Sequence, residues 1–274
     1  MYNFNKIIKI IKKNLNSEQV AKTSYFTGPL EERVHFEVIW NTKKYSDEKQ
    51  IFFVRIGTII FIDDKLKKKL SGEIYNYENI IYLKDFDSTL GDTSLIYYTA
   101  LTVYALQSIN LSGKLVLDLG SADGILSLVA NKKGAKVIAV DILPEMKNKL
   151  KNHIMVNNMN PSDFIFVTAD IIDKGILSRK IPGDKVDIVV ANLGPHYEDA
   201  DLSAISLLDY LPSSRIFIGG GYTTTSTKKI KNIFAPDEAI DLLKRKGFTI
   251  TGTVKENTNE PLQRLTFIAE KLTK

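Results

Sequence analysis

Cysteine is absent from all 274 residues. With it go disulfide staples, thiolate nucleophiles, zinc ribbons and iron–sulfur clusters, and the composition suits a reducing compartment. Histidine is nearly as scarce: His35, His153 and His196 are widely separated, without the i, i+4 pairing of a helical metal site, so no metal is expected. Long apolar runs are missing too. None approaches the roughly 18 to 20 residues that span a bilayer, and the opening MYNFNKIIKIIKKNL is broken by lysine too often for a signal h-region. The chain is therefore expected in the cytoplasm, with no membrane partner. Nucleotide hydrolysis finds no G-x-x-x-x-G-K-[ST], and Ala122 stands where a serine hydrolase elbow needs its nucleophile.

What is present is ordinary for a globular chain: 44% apolar and 25% charged residues, enough to build a real core. The net charge of +5 leans toward acidic partners such as RNA or an acidic protein face. The densest basic cluster, Lys65 with Lys67, Lys68 and Lys69, reads as a solvated face or turn.

Periodicity divides the chain into two parts. Residues 2–15 carry Ile7, Ile8, Ile11 and Leu15 on one helical face, which predicts a helix packed on its own domain. From Val34 to Asp63 the segments VHFEVIW and QIFFVRIGTIIFID read as strands, and ENIIYL at 78–83 adds a third. A small α+β domain is expected over 1–85, a candidate substrate-recognition unit. Beyond it a helix at about 94–109 leads into strands that alternate with helices. Strands are expected at 114–119, 136–141, 163–168, 186–191 and 215–219, with helices near 123–133, 144–158, 198–210 and 236–246. That rhythm predicts a doubly wound α/β domain over 86–274, its sheet mostly parallel. The last pair, 248–254 and 263–270, are joined only by KENTNEP and form a hairpin, so one runs antiparallel.

The most specific stretch is LVLDLGSADGILSLVANKKGAKVIAVD, residues 115–141. A buried strand ends near Asp118, a glycine-bearing turn follows, and a helix opens at about Asp123, which is expected as its N-cap. Gly120 and Gly124 let a ligand approach the backbone closely. A dinucleotide fold would place glycines at 120, 122 and 125, but Ala122 and Ile125 stand at two of these, which disfavours NAD. An acidic residue followed by G-x-[GA]-x-G instead resembles the first motif of class I methyltransferases that use S-adenosylmethionine (SAM). Gly120, Ala122 and Gly124 are its loop positions. Asp141, which closes the second strand, can accept both hydroxyls of a ribose, with Ile142 beside it. Asp170 is placed for an adenine amine and Asp118 for the charged methionine end of the ligand.

Four segments carry a closer resemblance: YTALTVYAL at 98–106, DLGSADGILSL, AVDILPE, and VDIVVANLGP after the fourth strand. Residues 86–270 are similar in order and spacing to the PrmA-type ribosomal-protein lysine methyltransferases. The resemblance implies a seven-stranded methyltransferase sheet and SAM as cofactor. That family's threonine-rich loop with a histidine-proline pair corresponds here to STLGDTSLIY (88–97), which has neither residue. Gly91, Asp92 and Thr93 would lie over the cofactor. The ribosomal-protein substrate does not carry over with the motifs.

Methyl transfer is an in-line displacement, so the protein chiefly aligns its reactants. The acceptor side is expected at ANLGPHY, the carboxyl end of the fourth strand. There Asn192 can accept an N–H from an amine, His196 can take a proton, and Tyr197 can wall the pocket. The run GGGYTTTST (219–227) reads as a surface loop or mobile substrate rim. Three functions remain open: methylation of an amine on a protein or small molecule, methylation of RNA, and a SAM-binding scaffold without catalysis.

Overall fold

A computed structural model describes residues 20–28, 33–42, 49–68, 70, 79–84, 93–192, 198–224, 237–256 and 263–271. The expected helix at 2–15 lies outside them. The strands are β1 (Val20–Thr27), β2 (Arg33–Thr42), β3 (Lys49–Ile56), β4 (Ile59–Asp63), β5 (Ile80–Leu83), β6 (Leu115–Leu119), β7 (Lys136–Asp141), β8 (Phe164–Thr168), β9 (Ile188–Asn192), β10 (Ile216–Thr224), β11 (Phe248–Glu256) and β12 (Gln263–Lys271). The helices are α1 (Thr93–Ser108), α2 (Ile125–Lys132), α3 (Met146–Val156), α4 (Lys174–Lys180), α5 (Glu198–Leu207) and α6 (Asp237–Arg245).

These strands form one sheet, ordered β5-β4-β3-β2-β1-β11-β12-β10-β9-β6-β7-β8. From β8 to β10 every neighbouring pair is parallel, whereas β12 runs antiparallel to both β10 and β11. The mostly parallel sheet with its closing hairpin is the fold class expected. The N-terminal strands continue this sheet, because β1 meets β11 at Phe26↔Glu256 and Thr27↔Lys255.

The central strands show no apolar/polar alternation, since both faces are covered. One face packs Val116, Val137 and Val190 against Leu101, Leu128 and Leu150 of α1, α2 and α3. The other packs Leu117, Ile138 and Val189 against Leu177, Ile205 and Leu243 of α4, α5 and α6. Helix α1 is apolar on nearly every side, and most of its middle is enclosed: Ala100, Leu101, Val103, Ala105 and Leu106 are buried. Helix α6 is the contrasting case. Ala239 and Leu243 face the core, Asp237 and Glu238 occupy its first turn, and Lys244 and Arg245 its last, each charge opposing the helix dipole.

Four local features differ from the sequence-based expectations. The segment 50–63 is split into β3 and β4 by a tight turn at Gly57, whose φ of +56° suits glycine. Strand β1 and helix α4 were not anticipated: VAKTSYFT lacks clean alternation, and α4 is only 7 residues long. The glycine- and threonine-rich run after the fifth strand is not loop throughout. Strand β10 continues through it to Thr224, paired with β12 across an irregularity between Gly219 and Tyr222; residues 225–236 lie outside the described set.

Candidate functional site

Strand β6 has β7 on one side and β9 on the other, with the chain winding away in opposite senses. In a doubly wound sheet the crevice outside the carboxyl ends at such a reversal is where ligands bind. The loop from β6 to α2 lies there. Its residues Gly120, Ala122 and Gly124 have φ of +70°, +44° and +83°. Ala122 is the notable one, since a side chain makes this left-handed region costly and such positions gather at functional sites.

Asp141 holds the loop. Its Oδ2 accepts from the Ala122 N–H at 2.9 Å and its Oδ1 from the Leu143 N–H at 2.9 Å. The Ser121 N–H donates to the Val140 carbonyl, tying the loop to the end of β7. Asp141 is buried, while the next residues turn outward: Ile142 is 57% and Leu143 46% exposed. At the neighbouring end of β8 the Ala169 N–H donates to the Asp141 carbonyl. Asp170 follows, exposed, its Oδ1 accepting from the Ile172 N–H at 2.9 Å. Ile172 is itself 53% exposed. Asp141, Ile142 and Asp170 are thus brought to one rim of the crevice.

Asp118 lies deeper, on β6 beneath α2. Ser127 Oγ donates to its Oδ2 at 2.6 Å. Its Oδ1 is buried and, among the described residues, has no hydrogen-bond partner; the same holds for Ser121 Oγ in the loop above. Burial pushes the Asp118 carboxyl up to about 6, against the opposing pull of the Ser127 hydrogen bonds and with a smaller upward push from Asp141.

The expected N-cap at Asp123 is corrected. Gly124 holds that position, and Asp123 instead pairs its carboxylate with Lys149 at 2.8 Å. Its carbonyl lies 2.9 Å from His153 Nδ1, and the other ring nitrogen faces the Lys84 carbonyl at 3.2 Å. His153 therefore supports the loop from behind.

Across the crevice, Asn192 ends β9, half-buried, and its Oδ1 accepts from Thr102 Oγ1 at 2.7 Å. Thr93 is the first residue of α1. His196, Tyr197, Gly91 and Asp92 lie outside the described residues. Sequence reasoning missed Ser121, Ser127 and Thr102. For Ser127 a signal was present, a hydroxyl inside the apolar run ILSLVA; Thr102 is 90 residues from Asn192 and had none.

Among the described residues no helix is long and apolar enough to cross a membrane. No group of three or more His, Asp or Glu among them could hold a metal ion.

Comparison with known proteins bears on this geometry. The family described as Ribosomal protein L11 methyltransferase (PrmA) matches residues 97–194. A ribosomal protein L11 methyltransferase of Agathobacter rectalis is 38% identical over 79 residues, 28% of this chain and 24% of that protein. One from Clostridium perfringens is 28% identical over 196 residues, 70% of this chain and 56% of that protein. The chain therefore spans between 24% and 56% of the length of these curated relatives. The solved structure of a ribosomal protein L11 methylase from Lactobacillus delbrueckii subsp. bulgaricus superposes with a TM-score of 0.55 at 16% identity, covering 81% of this chain and 100% of that one. Residues 97–194 are thus similar to the PrmA family, and the chain has the fold of class I methyltransferases. Family match and fold are both of the methyltransferase kind.

Proposed function

We propose that the chain transfers a methyl group from SAM to an amine, and that the acceptor is a protein side chain. The observation that carries the cofactor side is the pair of buried oxygens, Asp118 Oδ1 and Ser121 Oγ, without hydrogen-bond partners among the described residues. Each such atom costs on the order of 1 to 3 kcal/mol unless a ligand or water satisfies it. A carboxylate oxygen only accepts, so its natural partner is an N–H cation, which the methionine ammonium of SAM would provide.

The remaining residues fit the same ligand. Asp141 oxygens keep lone pairs beyond the two loop N–H groups they accept, enough for ribose hydroxyls. The exposed Ile142 and Ile172 offer apolar surface to a purine, with a free oxygen position on Asp170 for its exocyclic amine. Gly120 and Ala122 would let the ligand lie against backbone, whereas Gly124, expected to do the same, instead makes room for Leu150 of α3, and Thr93 would cover the ligand from the start of α1. When bound, SAM supplies an electrophilic methyl on a sulfonium. Asn192 would accept an N–H of the acceptor amine, pointing its lone pair at the methyl and stabilising the positive charge that grows on nitrogen. His196 would take the proton from an ammonium acceptor, and Tyr197 would wall the pocket.

The relatives' names support a protein acceptor and make ribosomal protein L11 the first to test. The strands of residues 1–85 would serve as the recognition surface for it. SAM or its demethylated product is expected to raise the melting temperature while NAD does not, since only a ligand preferring the native state stabilises it. Methyl-labelled SAM would then be incubated with L11, bulk RNA and small amines separately. Label on L11 or another protein amine is expected. Label on RNA alone would overturn the acceptor assignment, and a thermal shift with NAD but none with SAM would overturn the cofactor.

A further inference from the structure

The hydrogen bond to Asn192 comes from the interior. Thr102, in the middle of α1, and Thr266, near the start of β12, are both 0% exposed. Thr102 Oγ1 donates to Asn192 Oδ1 at 2.7 Å and lies 3.0 Å from Thr266 Oγ1. With its proton on Asn192, Thr102 accepts from Thr266. Residues of α1, β12 and β9, distant in sequence, thus form one hydrogen-bonded chain that ends on the Asn192 carboxamide. The fourth participant is Gly220, paired with Asn192 across β9 and β10. A Cβ there would overlap both Thr102 Oγ1 and Asn192 Oδ1, so only glycine leaves the space for their contact.

Packing alone does not require these hydroxyls. Valine has nearly the shape of threonine, similar helix propensity and a better strand propensity, and burying a hydroxyl costs free energy unless it is paired. Here both are paired, toward a side chain at the mouth of the crevice. An asparagine amide is broad about its terminal torsion and nearly symmetric in shape, so nothing local decides which way its oxygen faces.

We propose that Thr102 is a positioning residue for the methyl-accepting site: its buried hydroxyl, backed by Thr266 and admitted by Gly220, sets the plane and facing of the Asn192 carboxamide. One lone pair of Oδ1 takes the Thr102 proton, and the other is kept for an N–H of the acceptor amine. This rests on the reading that Asn192 faces the methyl acceptor.

The test needs no identified acceptor. Sinefungin is a SAM analogue whose amine-bearing carbon replaces the methyl sulfonium, so its N–H groups sit where methyl and acceptor meet; S-adenosylhomocysteine lacks both. Dissociation constants for the two ligands would be measured by calorimetry on the full chain for wild type, Thr102→Val, Thr102→Ser, Thr266→Val and Asn192→Ala, with thermal melts alongside. Thr102→Val and Asn192→Ala are expected to lose about tenfold of the preference for sinefungin over S-adenosylhomocysteine, the worth of one charge-assisted hydrogen bond. Affinity for S-adenosylhomocysteine should stay within about twofold. Thr102→Ser should restore the preference, and Thr266→Val should lose part of it. An undiminished preference in Thr102→Val overturns the proposal. So does an equal loss for both ligands, or a serine variant as impaired as the valine one. Should Thr102→Val fail to fold, full preference in Thr266→Val overturns it. A wild-type chain that binds neither ligand instead refutes the cofactor reading itself.

Discussion

Replacing Asp118 by asparagine separates charge from shape at the centre of the candidate site. The wild-type carboxyl is raised from 3.8 to about 6, chiefly by burial. The native state therefore holds this proton more tightly than the unfolded chain, and between about pH 4 and pH 6 unfolding releases it. Stability falls across that window and remains lower above it. The rise from 3.8 to about 6 corresponds to about 3 kcal/mol of stability lost by pH 8. Asparagine has no charge to bury. Its carbonyl can still accept from Ser127, and its amino group takes the place of the unpartnered Oδ1, so the count of unpaired polar atoms is unchanged. Asp118→Asn should thus be more stable than wild type by about 3 kcal/mol at pH 8 and by only about 1 kcal/mol at pH 4.5. Urea unfolding at the two pH values, with equal m, measures both numbers. Cofactor affinity should move the other way, falling roughly tenfold to a hundredfold as a charged hydrogen bond is lost, the trade expected of a strained functional group. An asparagine variant no more stable than wild type at pH 8, or one whose advantage is the same at both pH values, would refute the reasoning.

Two further variants probe the frame of the site. Asp141→Ala should weaken SAM binding at least tenfold and also lower the urea midpoint, because it strips the acceptors from the Ala122 and Leu143 N–H groups as well as from ribose; loss of affinity with unchanged stability would show that the loop does not depend on it. Gly220→Ala should lose about 1 to 3 kcal/mol of stability and displace Asn192, since the added methyl meets Thr102 and Asn192 in a packed interior; a variant with wild-type stability would mean that the strands yield easily there.

How much of this was legible beforehand depends on the range over which each feature is determined. Strands β6, β7 and β9 announced themselves because a strand buried on both faces is apolar along nearly its whole length, and LVLDL, VIAVD and IVVAN each carry a single polar residue. The loop proposed to hold the ligand was legible because left-handed backbone favours glycine, and Gly120 and Gly124 bracket it. Asp123 was misread for a related reason: an acidic residue near a helix start is the usual cap, but Lys149, one turn into α3, draws its carboxylate away. Strand β10 was cut short because glycine and threonine read as loop, while pairing with β12 carries the strand through them.

The sequence by itself determined the alternation of strands and helices and the acidic strand ends, because periodicity and backbone preference act over a few residues and are written in order along the chain. Tertiary structure alone decided what each acid meets. Burial of Asp118 beneath α2 raised its pKa, Asp141 was turned inward to hold the loop, and Thr102 met Asn192 and Thr266 across 90 and 164 residues. Desolvation and hydrogen bonding depend on distances in space, and a linear pattern does not contain them until the sheet has brought its strand ends together.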